Sequence, residues 1–507
     1  MRFPRSSGIL LHPTSLPGGH GIGDFGPAAY RFIDFLRAAG QKLWQVLPLN
    51  PTGYADSPFQ CFSASAGNPL LISLDDLAGQ GFLSRNDLSR VPAFPADTVD
   101  YEAVSRFKAP LLQKAAANFF ANASAEDRRG FDEFVCANAI WLEDFALFMA
   151  VKEKHNQEAW TQWPAGIAAR QRAAMEREGQ ELASAIKAQK FLQYTFFQQW
   201  QKLRAYGRER NISIIGDVPI YVAHDSADVW TNPQFFLLDE RGNPLKIAGV
   251  PPDYFSGTGQ CWGNPIYNWP RLKQAGFQWW VERLRSALRL YDFIRIDHFR
   301  GFEGYWEVPA SETTAVNGRW VKGPGAELFA VLRRELGDLP IIAENLGVIT
   351  PEVEALRHEF GLPGMAILQF AFGNDPQAPT FKPHNYVHNL VAYTGTHDND
   401  TVVGWWTSSG AGDSTRTAED VVKEHAYARA YLGFKDEPIH WVLIRGIMAS
   451  VANTAIVPMQ DTLGLGSEAR MNLPGMPSGY WRWRMKPGAA SEEIAARLKE
   501  LATLFDR

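Results

Sequence analysis

Eight short runs of almost unbroken apolar residues recur along the chain, most of them flanked by stretches with helical periodicity. They are GILLHP (8–13), KLWQVLPL (42–49), ISIIGDVPIYVA (212–223), DFIRIDHF (292–299), PIIAENL (340–346), GMAILQF (364–370), NLVAYTGTHD (389–398) and TAIVPMQDTLG (454–464). A strand with one wet face alternates apolar and polar residues. A strand buried on both faces does not, and these runs are of the second kind. Buried strands separated by helices form parallel sheets covered on both sides. Eight of them predict a (β/α)8 barrel, with an open doubly wound sheet as the alternative.

The spacing of the runs also predicts where the barrel is interrupted. Residues 1–74 hold the first two strands and a further N-terminal segment. Residues 75–205 carry apolar residues at three-to-four spacing and read as a mostly helical insertion. Residues 206–507 hold the remaining strands, with loop insertions expected at 249–269, 303–323 and 400–450, the second of them hairpin-like. The tract GVPPDYFSGTGQCWGNPIYNW (249–269) is too rich in Gly, Pro and aromatic residues for helix or regular strand. It is expected to be an ordered loop presenting Tyr254, Phe255, Trp262, Tyr267 and Trp269. As a lid, such a loop would exclude water from a bound ligand. No appended C-terminal β-sandwich is expected.

Composition removes several functional classes. At 507 residues the chain suffices for one large barrel with insertions or for several domains. The formal net charge is −5 and no Lys/Arg block stands out, so neither a nucleic-acid surface nor an anionic-membrane surface is predicted. No run approaches the ~20 apolar residues of a membrane span, and the apolar run behind Arg5 is too short for a signal peptide. Cys61, Cys136 and Cys261 are far apart without a CxxC pair. That argues against a disulfide framework or zinc site and for a reducing cytoplasm. GIGDFG (21–26) matches GxGxxG formally, but no strand ends before it and no acid stands about twenty residues on to hold a ribose. Walker A and GxSxG sequences are absent. The 17 Trp, 15 Tyr and 32 Phe fill a large core, and such rings also stack on the flat apolar faces of sugars.

Three acids stand where apolar runs stop: Asp297, Glu344 and Asp398. In a parallel barrel the C-terminal strand ends build the active site, so these three are expected to converge. Acids sharing one rim suit chemistry on a sugar acetal. Arg295 and Asp297 are two apart on one strand and share a face. A guanidinium there favours the charged carboxylate, a competent nucleophile. Glu344, in a site with two aspartates, is the candidate to keep a proton. His397 can donate to a sugar hydroxyl and Asp398 can accept from two. HDND (397–400) also suggests a metal, but no further ligand set accompanies it. Asp217 lies mid-run, to orient the arginine or a hydroxyl, or simply as a buried structural acid.

Longer motifs then carry a resemblance. GILLHPTSLPGGHGIGDFG, WQVLPLNPTGYADSPFQ, GDVPIYVAHDSADVW, FIRIDHFRGF, IIAENLG, TGTHDNDT and PMQDTLGLGSEARMNLPG, together with the 249–269 tract, occur in order along nearly the whole chain. The chain resembles the amylomaltases, 4-α-glucanotransferases of the α-amylase clan also called disproportionating enzymes. The resemblance implies a barrel with subdomain insertions, no required metal or organic cofactor, and no obligatory protein partner. Its implied partners are α-1,4-glucans and glucose. By motif match it makes Asp297 the nucleophile, Glu344 the general acid/base and Asp398 the transition-state stabiliser. Arg295, Asp217 and His397 become accompanying subsite residues. Tyr254, Phe255, Trp262 and Asn264 fall in the active-site loop, and Tyr54, Asp56 and Ser57 in the donor-side segment. Phe59 departs from the tyrosine that such proteins often carry there, which removes a hydroxyl. Two other readings stay open: a hydrolase with the same acids, and a catalytically silent glucan-binding protein.

Overall fold

A computed structural model describes residues 3–252, 257–410, 417–476 and 478–507. The eight apolar runs form eight parallel strands: β1 Ser6–Leu10, β2 Leu43–Gln45, β3 Ser213–Pro219, β4 Phe293–Asp297, β5 Ile341–Ala343, β6 Gly364–Ile367, β7 Leu390–Tyr393 and β8 Thr454–Pro458. Their neighbour order is β6-β7-β8-β1-β2-β3-β4-β5, so each strand pairs with its predecessor in the barrel sequence. The amide of Ala343 donates to the carbonyl of Pro363, just ahead of β6, and joins the two ends of the sheet (2.9 Å). The barrel closes as expected, and a doubly wound order is excluded.

Side chains alternate across the barrel wall with period two. In β4, Ile294 and Ile296 are fully buried on the outer face against helices, while Arg295 and Asp297 turn inward. Asp217 of β3 stands opposite Arg295, and Pro219 opposite Asp297. Ile296 pairs with Ala343, which leaves Asp297 and Glu344 emerging side by side from neighbouring strands. Register alone therefore gathers the polar side chains of three segments at one rim.

Between β2 and β3 the chain is mainly helical, including Tyr101–Asn122, Ala125–Ala137, Ala139–Lys154 and Ala183–Glu209. The last of these buries Phe191, Leu192, Phe196, Phe197 and Trp200. It is also tied to the segment after β2. Gln193 donates to and accepts from the backbone of Gly67, and Gln199 does the same with Ser73. No single helix among the described residues is long and apolar enough to cross a membrane. Between β7 and β8 lie the helices Val402–Thr407, Ala418–Leu432 and Ile439–Ala449.

One expectation is overturned. The 249–269 tract is not wholly irregular: Gln260–Pro265 is a strand, pairing antiparallel with Lys246–Val250. The hairpin expected at 303–323 supplies Gly304–Pro309 and Arg319–Lys322, and the four strands form a small antiparallel sheet beside the barrel mouth. Gly and Pro discourage strand pairing in general, but here they permit it. A Cβ on Gly249 would meet the carbonyl oxygen of Gln260 at 2.2 Å, so glycine is what lets the two backbones approach.

Candidate active site

Arg295 is the hub of the barrel floor. One terminal nitrogen of its guanidinium donates to both oxygens of Asp217 (2.9 and 2.7 Å), and the other lies 2.9 Å from Asp297 Oδ1. Side-chain exposure separates the roles: Asp217 is 0% and Arg295 3% accessible, while Asp297 keeps 29%. Support is sealed below, and one carboxylate faces the cleft. Burial pushes the Asp217 carboxyl up, opposed by Arg295. The charges around Arg295 hold its guanidinium well above its ordinary value. A bidentate pair of this kind fixes orientation as well as charge.

Glu344 follows directly on β5. Its two oxygens accept from the amides of His298 and Leu346, both at 2.7 Å. Burial, and next the negative charge of Asp297, push this carboxyl up to about 7. His298, whose amide makes one of these bonds, adopts a left-handed backbone (φ +53), uncommon for a residue with a Cβ. Strain of that sort is retained where surrounding structure over-determines it.

Asp398 lies beyond β7 rather than at its end, since the strand stops at Tyr393. Loop contacts hold it instead. Its Oδ1 accepts from Asn472 Nδ2 at 2.7 Å, its backbone carbonyl from Arg470 at 2.8 Å, and its Oδ2 lies 3.3 Å from His397 Nε2. Its side chain is 40% accessible, toward the cleft. Burial lowers the pKa of His397 and keeps its imidazole neutral. The ring stacks on Phe59 (5.0 Å, 20° between planes), and Trp481 lies 5.7 Å away. Electrostatic coupling confirms one cluster: Asp297 and Asp398 both act on Asp217 and on His397, and Asp297 acts on Glu344.

The remaining expected residues divide. Trp262 is brought to the site, its ring edge-on to His298 at 4.8 Å. Asn264 lies behind it with its amide committed to Val222 and Gln60. Ser57 is buried and accepts from the amide of Phe59. Asp56 lies 3.6 Å from Arg482, and Tyr54 points outward, 71% exposed. Tyr254 and Phe255 fall outside the described residues. Asn399 and Asp400 of HDND are engaged within loops, with Thr396 and Ser467 respectively. Among the described residues no group of three or more His, Cys, Asp or Glu is placed to hold a metal ion. Sequence reasoning missed His298, Gln60, Asn472 and Arg470. None shows a pattern of its own; His298 alone could have been suspected, as the residue after the aspartate that ends β4.

A closed parallel barrel whose C-terminal rim joins a buried glutamate, pushed toward neutrality, to an ion-paired aspartate is an enzyme fold with an arrangement suited to acid–base chemistry. Comparison with known proteins makes that class specific. A family model described as 4-alpha-glucanotransferase matches residues 11–490. The chain is 51% identical to a 4-alpha-glucanotransferase of Synechocystis sp., covering 99% of this chain and 98% of that one. It is 50% identical to one of Thermus thermophilus, with both chains covered completely. Among solved structures it is similar to the amylomaltase from Streptococcus agalactiae in complex with acarbose, at 43% identity, with a TM-score of 0.94 and 99% of both chains covered. The amylomaltase from Corynebacterium glutamicum, 20% identical, shares the fold with a TM-score of 0.81 over 98% of this chain and 75% of that one. The chain belongs to the 4-α-glucanotransferase family, and its activity is glucan transfer.

Proposed function

We propose that the protein transfers segments of α-1,4-glucans to the 4-hydroxyl of another glucan or of glucose by double displacement with retention. Asp297 attacks the anomeric carbon while Glu344 gives its proton to the departing glycosidic oxygen. A covalent glycosyl ester on Asp297 forms and the shortened glucan leaves. Glu344, now a carboxylate, takes the proton of the incoming 4-hydroxyl, whose oxygen displaces Asp297 and rebuilds an α-1,4 bond. Arg295 holds Asp297 in place and aims it. Asp398, with His397 beside it, accepts hydroxyls of the sugar as it flattens toward the oxocarbenium-like transition state. Trp262 borders the bound chain from the 249–269 segment, and the binding role of Tyr254 and Phe255 rests on the motif match alone. Tyr54, Asp56, Ser57 and Asn264 belong to the flanking subsites. The helical stretch 75–205 is an insertion subdomain of the barrel. The three free cysteines suit a cytoplasmic setting.

The observation that carries this reading is the pairing of unlike carboxyls. Glu344 is driven toward neutrality by burial, while Asp297, on the neighbouring strand, is held at 2.9 Å by the guanidinium of Arg295 from its own strand. Two acids in different environments on adjacent strands supply the proton donor and the nucleophile that retention requires. Incubation with maltotriose tests it. Transfer yields glucose and a ladder of longer maltodextrins, whereas hydrolysis gives only shorter products and rising reducing ends. Asp297→Asn is expected to fold normally and to lose all turnover. Wild-type-like ladder formation by that variant would refute the assignment.

A further inference from the structure

We infer that Trp481 is a positioning residue of the transfer reaction: together with Phe59 it clamps the imidazole of His397 and so fixes the edge that His397 presents to Asp398 and the sugar. This rests on the role proposed above for His397.

The three rings form one closed group. Phe59 lies flat on His397 at 5.0 Å, Trp481 packs against His397 at 5.7 Å and 38°, and Phe59 and Trp481 touch at 5.7 Å. Contacts at these distances restrict rotation of the imidazole about its own bonds. Trp481 is also the bulkiest residue with a left-handed backbone, at φ +67. Nothing about burying an indole requires that conformation, which is uncommon and costly for a large side chain. It persists because both sides of the residue are tied. The Trp481 amide donates to Met471 (2.7 Å), and its carbonyl accepts from the hydroxyl of Tyr101 (2.9 Å), the first residue of a helix in the 75–205 stretch. The next residue along, Asn472, donates its amide to the carbonyl of His397 and its side chain to Asp398. The 470–481 segment thus grips the His397–Asp398 pair by backbone, by side chain and, through Trp481, by ring. The strained residue is the one that delivers the ring.

A clamp acting through His397 and a tryptophan that merely fills space give different kinetics. With maltotriose as substrate, Trp481→Ala is expected to lower kcat at least tenfold and change KM less than about twofold, and Trp481→Phe to recover most of the loss. In a His397→Ala background, Trp481→Ala is expected to add nothing, because the group it positions is gone. Opening the clamp also admits water to His397, whose proton affinity then rises. Asp398 and Asp297 favour its charged form; Arg295 and His12, which also face it, oppose. The acid limb of kcat should therefore move to higher pH in Trp481→Ala, which reports the contact of the ring with His397, while the kcat–KM split and the double variant separate positioning from filling. If Trp481→Ala does not fold, Trp481→Leu keeps a smaller apolar side chain without the ring plane and carries the same predictions. A double variant whose losses multiply, or an unmoved acid limb, overturns the clamp. A His397→Ala enzyme with wild-type kcat overturns the role of His397 and the clamp with it.

Discussion

Glu344 meets two demands at once: it must hold a proton near neutrality and release it within one turnover. Burial provides the first, with the charge of Asp297 adding to it, and two backbone amides stabilise the anion that forms. The direction of the pH dependence follows. The first step needs the protonated acid, so kcat/KM should fall as pH rises through about 7, the value to which Glu344 is pushed. Glu344→Gln should abolish that alkaline limb and cost about 10²–10⁴-fold in rate, the usual worth of such a group. Initial rates of glucose release across pH 5–9 check both. A limb that persists unchanged in the glutamine variant would assign the ionisation elsewhere. Phe59 acts at the same scale. Its ring contributes a flat face to His397.

At the scale of elements, the strand ends do the gathering and the loops do the holding. β3, β4 and β5 place Asp217, Arg295, Asp297 and Glu344 by register alone. Asp398 and His397, past the end of β7, depend on side-chain contacts from the segment after β8. The small sheet has its own dependence. Trp262 sits on Gln260–Pro265, and that strand's approach to Lys246–Val250 has no room for a Cβ at position 249. Gly249→Ala should therefore cost about 1–3 kcal/mol, the usual range for overpacking. It should also raise KM more than it lowers kcat, because it moves the ring and not the acids. Denaturant midpoints and maltotriose kinetics measured on the same preparation separate the two effects. A KM unchanged beside a clear loss of stability would detach Trp262 from substrate binding.

The whole molecule divides labour between its two ends. The C-terminal rim holds the chemistry, while the opposite end is braced by arginine. Arg507 is buried and donates to the carbonyls of Ser6, Met448 and Asn453, and also to those of Ile447, Ser450 and Ala452. It thereby binds the start of β1, the approach to β8 and the end of the helix between β7 and β8. Arg5 reaches three of the same carbonyls. Arg507→Ala removes the guanidinium that joins these segments, while Arg5 still serves the carbonyls of Met448, Ser450 and Ala452, and should destabilise the fold by about 1–3 kcal/mol. KM should not move. Thermal unfolding beside kinetics on maltotriose decides this, and an unchanged melting temperature would show that water replaces the guanidinium at little cost.

Eight continuous apolar runs determine eight buried parallel strands, because a strand covered on both faces has no wet side on which to place polar residues. Acids ending those runs were legible for the same reason: a carboxylate inside an apolar run marks where the sheet meets a cleft. Local patterns went no further. Gln260–Pro265 was hidden because the Gly and Pro around it read as a loop, and the glycine that its pairing needs, Gly249, lies on the partner strand. Asn472, Arg470, His298 and Trp481 were hidden because a hydrogen bond from a distant loop, or a left-handed backbone held from both sides, leaves no periodicity behind. Which residues belong to strands was settled by local chemistry. Which of the others reach the acids was settled only by the closed barrel, since closure brings position 472 to position 398 and position 481 to position 59.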